Sequence, residues 1–392
     1  MKHSILAPSA AHRWMKCPGS VHMVRLSPQE ERSEAADVGT AAHFLAELCY
    51  YEKREPWEYV GCGIMVRLDG ECNVYLAGES SLVYPHPLLQ VDRDMATSVG
   101  TYLDYVNDIK TRGGTVFTEY GYDRASLLPY ARGRVDCLIA GPGAKMEIID
   151  YKHGKSPVEV EGNVQLLNYA VNALYVFCGA EEIKLTIVQP RAFHADGTIR
   201  SWVLTRKDLE TWQNQDLLPA MHAALQPSAK LVPGKEQCQY CPAQTQCPAL
   251  QEKLLEVTDK LSSNWTDESV GEMLGIAEEV ASLVPSLKKK AMTKLKAGVS
   301  VQGYKLTRKR GRRVWAKEAD AAGEAAKLWG DEAFDAASLK TPAQMEALPG
   351  GADFVSRHGY KEDGSGMTLV REDGKQSSKY DEMFREGLPP GA

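Results

Sequence analysis

The sequence predicts an α/β protein with one mixed sheet flanked by helices. Three observations predict it. Two apolar runs of strand length, residues 134–140 and 145–152, are joined by a Gly141-Pro142-Gly143 turn. Segments of helical period lie on either side of them. The order from residue 88 to residue 225 reads helix, three strands, helix, two strands, helix. The chain has 392 residues, 43% hydrophobic and 25% charged, which is enough for one large domain or two.

Taken in order, residues 9–20 read S-A-A-H-R-W-M-K-C-P-G-S and end in a Cys17-Pro18-Gly19 turn. Thr40 is placed to cap a helix whose first turn presents His43. Residues 60–78 suggest a hairpin around Leu68-Asp69-Gly70. Residues 88–112 suggest an amphipathic helix stopped by Gly113 and Gly114. A strand over 115–122 bears Glu119, the strand 134–140 bears Asp136, and the strand 145–152 bears Asp150 and Lys152. Two residues apart on a strand, Asp150 and Lys152 share a face. A helix over 164–178 sets Gln165 and Tyr169 one turn apart. Strands over 183–189 and 198–205 and a helix over 207–225 complete the core.

Residues 227–251 carry three cysteines. Residues 266–296 are expected to be mostly helical, broken at Pro285 and ending in Lys288, Lys289, Lys290, Lys294 and Lys296. Residues 301–315 suggest a basic hairpin with Lys305, Arg308, Lys309, Arg310, Arg312 and Arg313 between Tyr304 and Trp315. Residues 318–348 look helical in pieces, and the Gly-rich polar stretch beyond 350 is expected to be loosely ordered. The expected organisation is a core with its cysteine segments over 1–255, a helical and basic-hairpin extension over 256–350, and a tail over 351–392.

A net charge of −6 does not advertise nucleic-acid binding, so any such contact needs a local basic patch. The lysines ending the 266–296 segment equally suit a solvated helix end. The 305–313 cluster with its flanking aromatics fits phosphate neutralisation and base stacking better. There is no apolar run of about 18 residues to span a membrane, and the N-terminal stretch lacks a secretory pattern, so a cytoplasmic location is expected. Nine cysteines there suit thiols or metal ligands rather than disulfides. Buried strands seldom carry acids, because an unpaired carboxylate away from water is costly. Asp136 and Asp150, near the ends of adjacent strands, could share a divalent cation that offsets their repulsion, with the Lys152 ammonium beside it. That arrangement suits phosphodiester cleavage.

His43, Glu119, G-R-V-D ending at Asp136, D-Y-K over 150–152 and Q-x-x-x-Y over 165–169 together resemble the PD-(D/E)XK nucleases, in their RecB-like branch. Cys17 before the core and Cys238, Cys241 and Cys247 after it resemble the iron–sulfur members of that branch, such as CRISPR-associated exonucleases and helicase–nuclease subunits. The whole chain is similar to a phage family of RecB-like proteins. No Pro-Asp stands at the first acid; Gly-Arg-Val precedes Asp136 instead, as is usual in that branch. The resemblance implies a restriction-endonuclease-like core and a DNA nuclease, most simply an exonuclease acting on single-stranded ends in phage recombination, repair or DNA processing. It implies Mg²⁺ or Mn²⁺ held by His43, Asp136, Asp150 and the Tyr151 carbonyl, with Lys152 orienting the attacking water. Gln165 and Tyr169 would hold the DNA backbone or the lysine, and Glu119 would bind metal through water or serve structure alone. Cys17, Cys238, Cys241 and Cys247 would bind a [4Fe–4S] cluster, with zinc the alternative. Two other readings stay open: a binding or assembly module that keeps the nuclease fold, and a subunit active only beside other phage replication or recombination proteins.

Overall fold

The structure is a computed structural model and describes residues 4–27, 33–67, 70–75, 88–123, 132–261, 267–308, 313–316, 318–335, 338–361 and 367–371. Its contacts divide the chain into two compact units, Met1–Ser282 and Leu283–Ala392.

The first unit opens with two short helices, α1 (Ala11–Trp14) and α2 (Ser20–Leu26), then the long helix α3 (Glu34–Glu52). Helix α3 starts earlier than expected. Ser33, not Thr40, is its N-cap, accepting from the Ala36 N–H. Thr40 lies inside the helix, where its hydroxyl donates back to the Ala36 carbonyl. A small antiparallel sheet follows, from β1 (Gly63–Val66), β2 (Cys72–Tyr75) and β3 (Leu88–Gln90), in the order β2-β1-β3. The expected hairpin is thus β1 and β2; Leu68 and Asp69 of its turn lie outside the described residues. Residues 88–90, expected to be helical, pair with β1 instead, and helix α4 (Arg93–Thr111) begins only where the Asp92 carboxylate caps the Met95 N–H.

The main sheet comprises β4 (Thr115–Asp123), β5 (Arg132–Gly141), β6 (Lys145–Tyr151), β7 (Glu182–Val188) and β8 (Ile199–Thr205), in sequential order. All pairs are antiparallel except β6 with β7, which are parallel and joined through helix α5 (Val164–Leu174). The chain is therefore mixed α/β, with a five-stranded mixed sheet flanked by helices. One face packs on α5, on the N-terminal Trp14 and on α6 (Arg206–Trp212) and α7 (Leu218–Leu225), which are separated by one π-helical turn. The other face packs on α3, α4 and the small sheet. Helices α8 (Lys235–Cys238), α9 (Pro248–Leu261) and α10 (Asp267–Lys296) follow. Helix α10 runs through Pro285 without the expected break.

The second unit has its own apolar cluster, centred on Ala321, Ala325, Met345, Phe354 and Val355. Its 301–315 segment is not the expected hairpin. Strand β9 (Tyr304–Arg308) and strand β10 (Arg313–Trp315) do not pair with each other; β10 pairs with β13 (Gly359–Lys361) and β9 with β14 (Met367–Arg371). Between β10 and β13 come α11 (Glu318–Trp329), the short strands β11 (Phe334–Asp335) and β12 (Ser338–Leu339), α12 (Pro342–Met345) and α13 (Gly351–His358). The stretch just past 350, expected to be loose, is thus regular structure. Phe354 supplies the reason: it is fully buried, with the Trp315 and Trp329 rings set edge-on to it. Residues 372–392 lie outside the described residues, as do Lys309, Arg310 and Arg312.

Candidate metal centre

The site forms where two strands part. Backbone pairing of β5 with β6 runs from Gly141↔Lys145 to Cys137↔Ile149 and stops, so Asp136 and Asp150 occupy the first unpaired positions. In place of a ladder bond, the Tyr151 N–H donates to Asp136 Oδ2 at 2.8 Å. Pairing of β4 with β5 also skips one position, between Thr118↔Cys137 and Tyr120↔Val135, which sets Glu119 level with Asp136. Glu119 has a φ of 50°, a left-handed conformation that a side chain seldom adopts. Alternation slips at the same level. Phe117 and Tyr120 pack on one face of the sheet although three residues apart, and Val135 and Cys137 pack on opposite faces although two apart.

The result is a triad: ligand atoms of His43, Glu119 and Asp136 all lie within 4.8 Å of one another. His43 Nδ1 is 3.6 Å from Asp136 Oδ1. Glu119 Oε2 accepts from Arg134 Nε at 2.9 Å, which gives the arginine of the G-R-V-D run its task. Burial, with Asp136 beside it, pushes the Glu119 carboxyl up to about 8. Burial also raises Asp136, against the pull of the His43 imidazole. Two acids held this way are short of positive charge.

Asp150 and Lys152 stand next to the triad rather than in it. Asp150 Oδ1 accepts from Gln165 Nε2 at 3.0 Å, and Gln165 Oε1 accepts from Lys152 Nζ at 3.1 Å. The Gln165 amide also donates to the Tyr169 hydroxyl at 3.1 Å, so helix α5 clamps both catalytic candidates through one side chain. Lys152 Nζ lies 2.9 Å from Asp150 Oδ2, an ion pair by distance, yet that buried oxygen accepts no well-angled hydrogen bond. Burial alone would lower the Lys152 pKa, but the Asp150 carboxylate outweighs it and holds the ammonium above its ordinary value. Burial, then Asp150 and Asp136, drives the Tyr169 hydroxyl far up, so it stays a neutral phenol whose oxygen accepts from Gln165. Tyr151 turns its own ring to the opposite face, where its hydroxyl meets Ser98 at 2.8 Å and His153 Nδ1 at 2.9 Å, and where His43 packs edge-on against it.

A divalent cation fits these donors. They are carboxylate oxygens with one imidazole, the acids are under-neutralised, and Asp150 Oδ2 has a lone pair without a good donor. The sequence reading missed Glu47 and Tyr102, which line the same small cavity as the triad. Glu47 had a signal: it follows His43 by four residues, one turn along the same helical face.

Cys17, Cys238, Cys241 and Cys247 line a single cavity elsewhere in the first unit. Cys17 Sγ accepts from the Val232 N–H at 3.2 Å, and Cys238 Sγ from the Gly234 N–H at 3.4 Å. Burial raises the Cys238 and Cys241 thiols, with Gly234 and Ala243 backbone N–H groups pulling the other way. The guanidinium of half-buried Arg13, whose buried Nε has no hydrogen-bond partner, lies close enough to favour the Cys241 thiolate. In the second unit, Arg313 is paired with Glu346, while Lys305 is exposed on β9. Among the described residues no helix is long and apolar enough to cross a membrane.

A solved structure described as "Crystal structure of SSO0001" is similar at 19% identity, over 38% of this chain and 67% of that one, with a TM-score of 0.25; so low a score supports no reading of fold or activity. The family model described as "Protein of unknown function (DUF2800)" matches residues 3–376, nearly the whole length, and the chain belongs to that family.

Proposed function

We propose that this chain is a metal-dependent deoxyribonuclease with a PD-(D/E)XK, restriction-endonuclease-like core. The observation that carries the reading is the meeting of Asp136, Asp150 and Lys152 where β5 and β6 part, with His43 and Glu119 to one side and Gln165 to the other. In this reading His43, Asp136 and Asp150 hold Mg²⁺ or Mn²⁺, and Glu119 joins them directly or through water. When bound, the cation supplies charge neutralisation at the phosphate and a more acidic water. Lys152, kept charged by Asp150, donates to the attacking water and to the negative charge that builds on the phosphate. Gln165 fixes Lys152 and Asp150 relative to each other, and Tyr169 fixes Gln165. Single-stranded DNA ends are the proposed substrate, and Lys305 and its basic neighbours a proposed phosphate contact.

The four thiols are read as the ligands of a [4Fe–4S] cluster. What supports a shared group is that all four thiols line one cavity, and zinc is the alternative for the same ligands.

The test is end-labelled DNA incubated with Mn²⁺ or Mg²⁺, wild type beside Lys152→Ala. Wild type is expected to degrade the DNA, and Lys152→Ala to lose at least about a hundredfold in rate. Equal rates would remove Lys152 from the reaction. Absence of cleavage by cluster-loaded wild type under anaerobic conditions would favour a binding or assembly module instead.

A further inference from the structure

We propose that Phe193 is a stacking platform for a nucleobase of the strand held at the metal centre; the proposal rests on the nuclease reading above. The ring is 92% exposed, although a side chain of this kind is ordinarily buried. Its loop leaves β7 at Val188, the partner of Tyr151, so it rises from the sheet edge that carries Asp150 and Lys152.

The loop is braced. The Gln189 N–H donates to the Thr198 carbonyl at 2.8 Å, the Gly197 N–H donates to the His194 carbonyl at 3.1 Å, and buried Arg200 donates to the Gly197 carbonyl at 2.8 Å. Arg191 donates to the His153 carbonyl, one residue from Lys152, at 3.1 Å and pairs with Asp94 at 2.8 Å. His194 lies 3.1 Å from Glu159, on the segment between Lys152 and Gln165. The residues on both sides of Phe193 are therefore tied to the loop that follows the catalytic strand, and only the ring between them is left in water. A fixed aromatic face loses little freedom when a base stacks on it, which is what such a contact requires.

Charge narrows the ligand. The carboxylates of Glu159 and Asp196, 76% and 82% exposed, both lie against His194, the residue after Phe193, so the charge next along the loop is negative and disfavours phosphate. Recognition at Phe193 is thus through the face of a base, with the phosphates towards Lys152.

Binding of a labelled single-stranded oligonucleotide, in EDTA so that hydrolysis stops, separates the possibilities. Phe193→Ala is expected to weaken binding by about 5- to 100-fold and Phe193→Trp to retain it. The slope of log affinity against log salt should not change, because no phosphate contact is removed. An abasic strand of equal length should bind wild type and Phe193→Ala alike. Equal affinity of the two proteins for the base-bearing strand, or an equal loss on the abasic strand, overturns the proposal. If wild type cleaves DNA while Phe193→Ala binds it unimpaired, only the role of the ring falls. If wild type neither binds nor cleaves, the nuclease reading falls and this one with it.

Discussion

Glu119 and Asp136 are half-buried close to one another, with the Arg134 guanidinium beside the first and the His43 imidazole and the Lys152 ammonium near the second. The Glu119 carboxyl ordinarily titrates near 4.5 and here does so at about 8, chiefly because it is buried. Between those values the folded protein keeps a proton that the unfolded chain has released. Glu119 therefore lowers stability progressively as pH rises through that window, and the loss is complete above about 8. A cation that needs the carboxylate must displace the same proton. Mn²⁺ affinity should therefore climb from pH 6.5 towards 8 by at most about tenfold per pH unit, with protons released on binding. Calorimetry in two buffers of different ionisation enthalpy reads both quantities. Glu119→Gln should flatten most of the climb; a wild-type affinity that is level across this range would count against Glu119 as a ligand. Both aspartates could be picked out in the sequence because acids in apolar strands are uncommon, whereas His43 was singled out only through the family resemblance. Glu119 was only half legible, because its place in the triad depends on a backbone twist that the letters do not show.

At the scale of the strand, Gly133 explains why the G-R-V-D run starts with glycine. A Cβ there would sit 2.4 Å from the hydroxyl oxygen and 2.6 Å from the adjoining ring carbon of Tyr122, whose ring is buried on the neighbouring strand β4. The ring cannot swing aside without disturbing the core around it. Gly133→Ala should cost about 1–3 kcal/mol, visible as a lower melting temperature, and should slow DNA cleavage by displacing Asp136 three residues on. An unchanged melting temperature would show that Tyr122 yields freely. The strands β4 to β8 and helix α5 were legible because strand-length apolar runs and helical periods are local signals. Helix α3 was misjudged because its true cap, Ser33, sits within a charged run, and residues 88–90 because their β1 partner lies more than twenty residues upstream. The C-terminal strands were misassigned for the same reason: β9 and β10 find partners near and beyond residue 360 rather than each other.

Across the whole molecule, each unit has an apolar cluster of its own, and both the candidate metal centre and the thiol cavity belong to the first. The thiols bring Cys17 to a segment more than two hundred residues later, where the Gly19 N–H also donates to the Lys230 carbonyl at 2.9 Å. Any group bound by all four closes that long loop and should stabilise the unit that contains it. Cys238→Ser should lose the absorbance near about 400 nm expected of a four-thiolate iron–sulfur cluster and lower the first unit's melting transition. A colourless, zinc-loaded wild type would retire the cluster. Removal of residues 283–392 should leave Mn²⁺ binding intact but weaken DNA binding and flatten its salt dependence, as an anisotropy titration across salt would show. Unaltered DNA affinity would give the basic residues of the second unit another task.

The sequence by itself determined the class of fold, the succession of helices and strands along the core and which acids were chemically out of place in their segments, because hydrophobic period and buried charge are written residue by residue. Only the tertiary structure decided how they meet. The parting of β5 from β6, the left-handed Glu119 and the single amide of Gln165 that spans Asp150 and Lys152 arise from contacts between segments far apart in the chain. Such contacts answer to packing and to the need to satisfy every buried polar atom, conditions that no single stretch of sequence carries.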